Sequence, residues 1–216
     1  MQTKTLFKSV VFDWSGTLSD DAALCLDADN RLLAKHGKPP ITMREFIRYY
    51  TTPDLVGFYE REFGIRFASQ EALQEEYEQA LRESRLRVSP YPNSAKTLAA
   101  LKRAGLRLFV LSAHPARVLE DEAREYGFRS FFEENGFVGS VWNKAETLKR
   151  IVSENALEKK ETLFVGDVIL DVRSGKAAGV RVCACAYGYH PREWLEKEKP
   201  DFIIGEVSEL VKIIGV

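Results

Sequence analysis

The chain is 216 residues long with a formal net charge of −1, and 45% of its residues are apolar and 29% charged. This balance supports a buried core for one α/β domain, or for a core domain carrying a smaller second one, and removes the electrostatic case for binding nucleic acid or an acidic membrane surface. No apolar run approaches the ~20 residues that a membrane span requires. A chain that enters its first strand so early is not expected to carry a signal peptide, so a cytoplasmic protein is anticipated. The three cysteines are odd in number, and Cys183 and Cys185 are read as facing opposite sides of one strand. Neither a disulfide framework nor a zinc knuckle fits, which leaves buried reduced thiols.

In chain order, the first predicted element is a short strand, Ser9-Val10-Val11-Phe12, followed by Asp13-Trp14-Ser15-Gly16-Thr17. From Asp20 the pattern becomes helical. Helices are expected to about His36, where Gly37 and Pro39-Pro40 break the chain, then from a capping box of Thr42 and Glu45 to about Tyr50. Two more are expected, from Pro53 to near Gly64 and from Ser69 to about Leu86. With no strand among them, residues 19–90 read as a small all-helical unit inserted into a core of residues 1–18 and 91–216.

Beyond Pro90 and Pro92, strands alternate with helices. A helix over 93–104 precedes a strand over 106–111 that ends on Ser112. Pro115 opens the next helix, residues 137–141 form a short strand, and Lys144 opens another helix. A strand over 162–165 ends in Gly166-Asp167, and the helix after it carries Asp171 and closes at Gly179. Strands over 180–186 and 202–204 and a helix over 207–214 complete the chain. This alternation predicts a doubly wound parallel sheet covered by helices on both faces, an α/β fold.

Three strands therefore end on Asp13, Ser112 and Asp167, and a helix begins at Lys144. In a parallel sheet such ends converge on one edge, where open α/β sheets bind their ligands. Acids without a His or Cys cluster suit a hard cation such as Mg2+, and a lysine and a hydroxyl beside them suit phosphate oxygens. A carboxylate can also attack phosphorus to form an aspartyl-phosphate. Taken singly, Asp171 also reads as a helix cap and Ser112 as a plain strand terminus.

In order and separation, these motifs resemble those of the haloacid dehalogenase superfamily, in its phosphoglycolate-phosphatase-like branch with a helical cap. Asp13-Trp14-Ser15-Gly16-Thr17-Leu18 is similar to the family's Asp-x-Asp-Gly-Thr-Leu except at its third residue. Leu108–Ser112, Lys144 in Trp142-Asn143-Lys144, and Gly166-Asp167 with Asp171 match the other three motifs, and Tyr187-Gly188-Tyr189 with Pro200-Asp201-Phe202 extends the likeness. The resemblance implies a Mg2+-dependent phosphatase of a small phosphorylated metabolite. It implies Asp13 as nucleophile and metal ligand, Ser15 as a ligand through its backbone carbonyl, and Asp167 as the second acidic ligand with Asp171 beside it. It also implies that Ser112 and Lys144 bind the phosphoryl group.

Ser15 stands where family phosphatases carry the acid that protonates the leaving alkoxide and later accepts a proton from the attacking water. Losing such help costs ~10²–10⁴-fold in rate, so slow turnover is expected. His114 and His190 are candidates to replace it, against a plainer reading as surface or capping histidines. A degenerate member that binds a phosphorylated ligand or partner is the first alternative. The second is a phosphonatase-like C–P hydrolase, for which Lys35 and Lys38 are the available Schiff-base lysines; the retained Asp167 argues against dehalogenase chemistry. Arg44 and Arg48 are candidate substrate-binding residues of the helical unit, and Trp14 is expected to pack under it.

Overall fold

The computed structural model describes residues 6–216. Strand β1 (Ser9–Phe12) is followed by the two-residue strand β2 (Ser19–Asp20). Four helices come next: α1 (Ala22–Lys35), α2 (Met43–Phe46), α3 (Leu55–Phe63) and α4 (Gln70–Glu83). The chain continues through β3 (Ser89–Pro90), α5 (Ser94–Arg103), β4 (Arg107–Leu111), α6 (Ala116–Glu125), β5 (Phe137–Val138) and α7 (Lys144–Glu154). It ends with β6 (Thr162–Gly166), α8 (Ile169–Ala178), β7 (Arg181–Cys185), α9 (Arg192–Lys197), β8 (Phe202–Ile204) and α10 (Glu209–Ile214).

Six strands form one parallel sheet in the order β5-β4-β1-β6-β7-β8. Strand order reverses around β1, which lies between β4 and β6, and this is the switch point at which doubly wound sheets open a crevice. The register places Phe12 opposite both Val110 and Val165. Asp13 therefore emerges level with Leu111 and Gly166, one residue short of Ser112 and Asp167. Both faces of the central strands are apolar. Val10, Phe12, Leu108, Val110, Leu163 and Val165 enter one core cluster, and Val11, Phe109, Leu111 and Phe164 enter another. The alternation follows from the period of two along a strand, and burial on both sides explains the unbroken apolar runs.

The same period corrects the reading of the cysteines. Cys183 and Cys185 are two residues apart, so they face the same side, and both lie in the cluster that contains Phe12. Both are free and fully buried, as is Cys25 nearly so. Trp14 is fully buried. It packs within the sheet unit itself, stacked on Tyr126 at 5.7 Å and edge-on to Phe128 and Phe137. The strand expected over 137–141 stops at Val138, because Gly139 abuts Ala116 and His114 too closely for a side chain and Ser140 turns with φ +60. Short α9 escaped the sequence reading.

Residues 21–88 form a compact unit of their own, with no strand in it. Strands β2 and β3 pair antiparallel just outside its two ends, so the chain leaves and re-enters the sheet unit through a short ribbon. The helix predicted over 42–50 is α2 followed by a tighter 3-10 turn, Ile47–Thr51. Within this unit Asp29 of α1 is buried and accepts a hydrogen bond from the Tyr59 hydroxyl. Burial pushes its carboxyl up to about 7, a rise that the Tyr59 bond only partly offsets.

A carboxyl raised in the folded state keeps its proton where the unfolded chain has lost it, so folding is weakened as pH climbs from about 4 to about 7. The slope is about 1.4 kcal/mol per pH unit over that window and vanishes above it. Asp29→Asn retains an acceptor for Tyr59 and removes the titration. Thermal melts of both proteins at pH 5 and pH 8 should show the variant gaining relative stability at pH 8.

Candidate active site

Asp13 follows β1 with its N–H bonded to the Val165 carbonyl of β6 at 2.8 Å, so the ladder that aligns the strands also fixes the carboxylate. Its Oδ1 accepts the Trp14 N–H at 2.7 Å, and its Oδ2 lies 2.7 Å from Lys144 Nζ. The same ammonium lies 2.7 Å from Asp171 Oδ1. Lys144 thus bridges two acids from the first turn of α7, whose start is capped by Asn143 through the Glu146 N–H. Asp171, in the first turn of α8, uses its Oδ2 to accept the N–H groups of Asp167 and Val168, both at 3.1 Å. It is a helix cap and a Lys144 partner at once.

Asp167 ends β6 and is fully buried. Thr17 Oγ1 donates to its Oδ1 at 2.9 Å and the Tyr189 N–H to its Oδ2 at 2.8 Å. Neither partner was singled out as a site residue in the sequence; Thr17 and Tyr189 do belong to the stretches that carry the family resemblance. Ser112, 1% exposed at the end of β4, accepts the His114 N–H on its hydroxyl at 3.2 Å. Ser15 is half-buried, with its hydroxyl 3.4 Å from His114 Nδ1.

Two of the three buried carboxylates share one buried ammonium. Burial raises the Asp13 carboxyl to about 6 even though the Lys144 charge pulls it down and Asp171 adds to the rise. Burial first, and the charges of Asp13 and Asp171 second, push Asp167 well above the ordinary range. Burial also opposes the Lys144 ammonium, but the two neighbouring carboxylates outweigh it and hold the group above the usual lysine range. The surplus is negative and lined by oxygen donors. Asp13, Asp167 and Asp171 each offer an oxygen within 4.8 Å of the others. That donor set fits a hard divalent cation, which would supply the missing positive charge.

The other predicted residues have the following surroundings. His190 is buried, accepts the Ile169 N–H on Nδ1 at 2.9 Å and packs on Trp194, so it supports the loop that precedes α8. His36 pairs with Glu76 at 2.9 Å. Arg44 of α2 and Arg48 of the following 3-10 turn are exposed parts of the helical unit. Lys35 is an exposed ion pair with Glu76, 3.1 Å away, rather than the desolvated amine that Schiff-base chemistry needs. Glu122 was missed altogether. It is a buried acid between Leu119 and Ala123 on the apolar face of α6, and that placement is its only signal in the sequence.

A parallel sheet with acids at the switch point, a bridging lysine and a helical insert after the first strand defines a hydrolase of the haloacid dehalogenase type. The haloacid dehalogenase-like hydrolase family model matches residues 10–185, and the chain belongs to that family. Within it the chain is a phosphatase of the phosphoglycolate-phosphatase-like branch. It is 28% identical to the N-acetylmuramic acid 6-phosphate phosphatase of Pseudomonas aeruginosa over 96% of this chain and 94% of that one. It is 29% identical to phosphoglycolate phosphatase 1 of the same organism, over 94% of this chain and 78% of that one. The crystal structure of a predicted phosphatase from Clostridium acetobutylicum shares the fold, with a TM-score of 0.84, 19% identity, and coverage of 98% and 100%.

Gly16 is where the loop after β1 closes on this cluster. Its φ is +72, and a Cβ would stand 2.1 Å from Asp167 Oδ2; at Gly188 a Cβ would stand 2.3 Å from Asp167 Cβ. Gly16→Ala should therefore displace the Asp167 carboxylate and also strain the backbone, destabilising by more than about 1 kcal/mol. Urea unfolding measures the loss, and Gly105→Ala, with the same sign of φ but open space around it, isolates the backbone share.

Proposed function

We propose that the chain is a divalent-metal-dependent phosphohydrolase that acts on a small phosphorylated metabolite through an aspartyl-phosphate on Asp13. The observation that carries this reading is the buried cluster in which Lys144 bridges Asp13 and Asp171 beside Asp167, at the ends of the two central strands. A cation such as Mg2+ would be held by Asp13, Asp167 and the main-chain carbonyl of Ser15, with Asp171 beside them. When bound, it neutralises charge on the phosphate and on the cluster.

The chain's own residues supply the remaining chemistry. A carboxylate oxygen of Asp13 attacks phosphorus, forming one P–O bond as the bond to the leaving alkoxide breaks. Hydrogen bonds from Trp14 N–H and Lys144 Nζ hold that carboxylate in one orientation before substrate arrives, so little reorganisation accompanies attack. Lys144 moves part of its attraction to the transferring phosphoryl group, whose remaining oxygens Ser112 binds through its hydroxyl. Water then hydrolyses the Asp13 phosphate. Arg44 and Arg48 are proposed to meet a second anionic group of the substrate, and the names of the similar phosphatases point to sugar phosphates or phosphoglycolate as first compounds to assay.

Asp13→Asn should lower turnover of p-nitrophenyl phosphate with Mg2+ by at least about 10³-fold, and acid quenching should trap label on wild type but not on the variant. Mg2+ at a hundred times its Kd should stabilise the wild-type fold by about 2.7 kcal/mol; Asp167→Asn should cancel that shift. Turnover that persists without Asp13, or melts indifferent to Mg2+, would overturn the reading.

A further inference from the structure

Ser15 cannot protonate a leaving alkoxide by itself, but its hydroxyl does not stand alone. It lies 3.4 Å from Nδ1 of His114, while the other ring nitrogen, Nε2, lies 3.5 Å from Oε1 of Glu122. Glu122 Oε2 in turn accepts the indole N–H of Trp14 at 2.7 Å, which ties the carboxylate back to the loop that carries Ser15. Hydroxyl, imidazole and carboxylate follow one another in the order by which acyl-transfer enzymes move a proton, with the two ring nitrogens exchanged. These separations are long for hydrogen bonds, as unliganded catalytic contacts commonly are before substrate tightens them.

The surroundings hold the His114 backbone in place. The His114 N–H donates to Ser112 Oγ, its carbonyl accepts the Ser140 N–H at 2.8 Å, and Gly139 abuts that carbonyl so closely that a Cβ would stand 2.9 Å from it. Glu122 sits on α6, with its position set by the buried face of the helix. His114 and Glu122 are buried, and Ser15 is half-buried. Ser15 follows Asp13 by two residues on the same loop, and the imidazole contacts that loop through the Ser15 hydroxyl.

We infer that Ser15, His114 and Glu122 form a proton relay that takes the place of the missing acid, with Ser15 touching the substrate and His114 and Glu122 as positioning residues behind it. This rests on the phosphatase reading above. As the bond between phosphorus and the leaving oxygen breaks, that oxygen takes the Ser15 proton and Ser15 recovers one from Nδ1 of a His114 imidazolium, which becomes the neutral ring with its remaining proton on Nε2 toward Glu122. When water attacks the Asp13 phosphate, its proton passes to Ser15 and the Ser15 proton returns to Nδ1, so the relay ends as it began. Glu122 faces Nε2 throughout and keeps Nδ1 turned toward Ser15.

A leaving group that departs without a proton does not need the relay, and this supplies a test independent of folding. In the full chain with Mg2+, kcat/KM is measured for an alkyl phosphate and for p-nitrophenyl phosphate in wild type, His114→Gln and Glu122→Gln. His114→Gln should lower the alkyl reaction by about 10²-fold and the aryl reaction far less, so that the aryl-to-alkyl ratio rises at least tenfold; Glu122→Gln, which keeps an acceptor for Trp14, should move it the same way. Adding Ser15→Asp to His114→Gln should bring the ratio back. Equal losses on both substrates, or an unmoved ratio, would overturn the relay. Aryl turnover that survives Asp13→Asn would instead overturn the phosphatase reading beneath it, so the two fail separately.

Discussion

The site depends on a charge imbalance that the fold imposes and holds. Asp13, Asp167 and Asp171 are brought together because β1 and β6 are neighbours in register and α8 begins immediately after β6. One ammonium, Lys144, sits between two of the three carboxylates. Burying that much negative charge is unfavourable, and it is tolerated because nearly every oxygen accepts a hydrogen bond from the chain. The residual deficit of positive charge is what a divalent cation can relieve.

Hydrogen bonding around the cluster also explains why the loops beside it are built as they are. Thr17 and the Tyr189 N–H approach Asp167 from two different loops, and glycines at 16 and 188 leave room for that approach. Asp171 caps the first turn of α8 with one oxygen and holds Lys144 with the other. Each group is oriented by a second one, so the cluster is organised before any ligand binds. Trp14 contributes in the same way from the other side: its ring is locked among Tyr126, Phe128 and Phe137, and its indole N–H holds Glu122.

Much of this was legible in the chain. The apolar runs that end on Asp13, Ser112 and Asp167 marked three strands, because a strand buried on both faces reads as unbroken apolar sequence up to the polar residue that ends it. Asp171 was legible through the family resemblance, whose fourth motif has an acid four residues after its Gly-Asp pair. Glu122 was not, since a lone acid on a helix face has no partner in the sequence; its partners Trp14 and His114 arrive from other strands' loops. The Phe137 strand was drawn too long because the close contact of Gly139 with the His114 loop is a matter of packing, invisible to local pattern.

By itself, the sequence determined the alternation of strands and helices, the helical insert after the first strand, and the identity of the charged groups at the strand ends, because all of these follow from periodicity and from the residue that ends each run. It also determined that an acid is missing at Ser15. Only the tertiary structure decided that His114, and not His190, lies against the Ser15 hydroxyl. Two histidines that each follow a strand differ only in which neighbours the sheet order gives them. His190, beyond β7, accepts the Ile169 N–H, whereas His114, beyond β4, lies next to β1 and reaches Ser15.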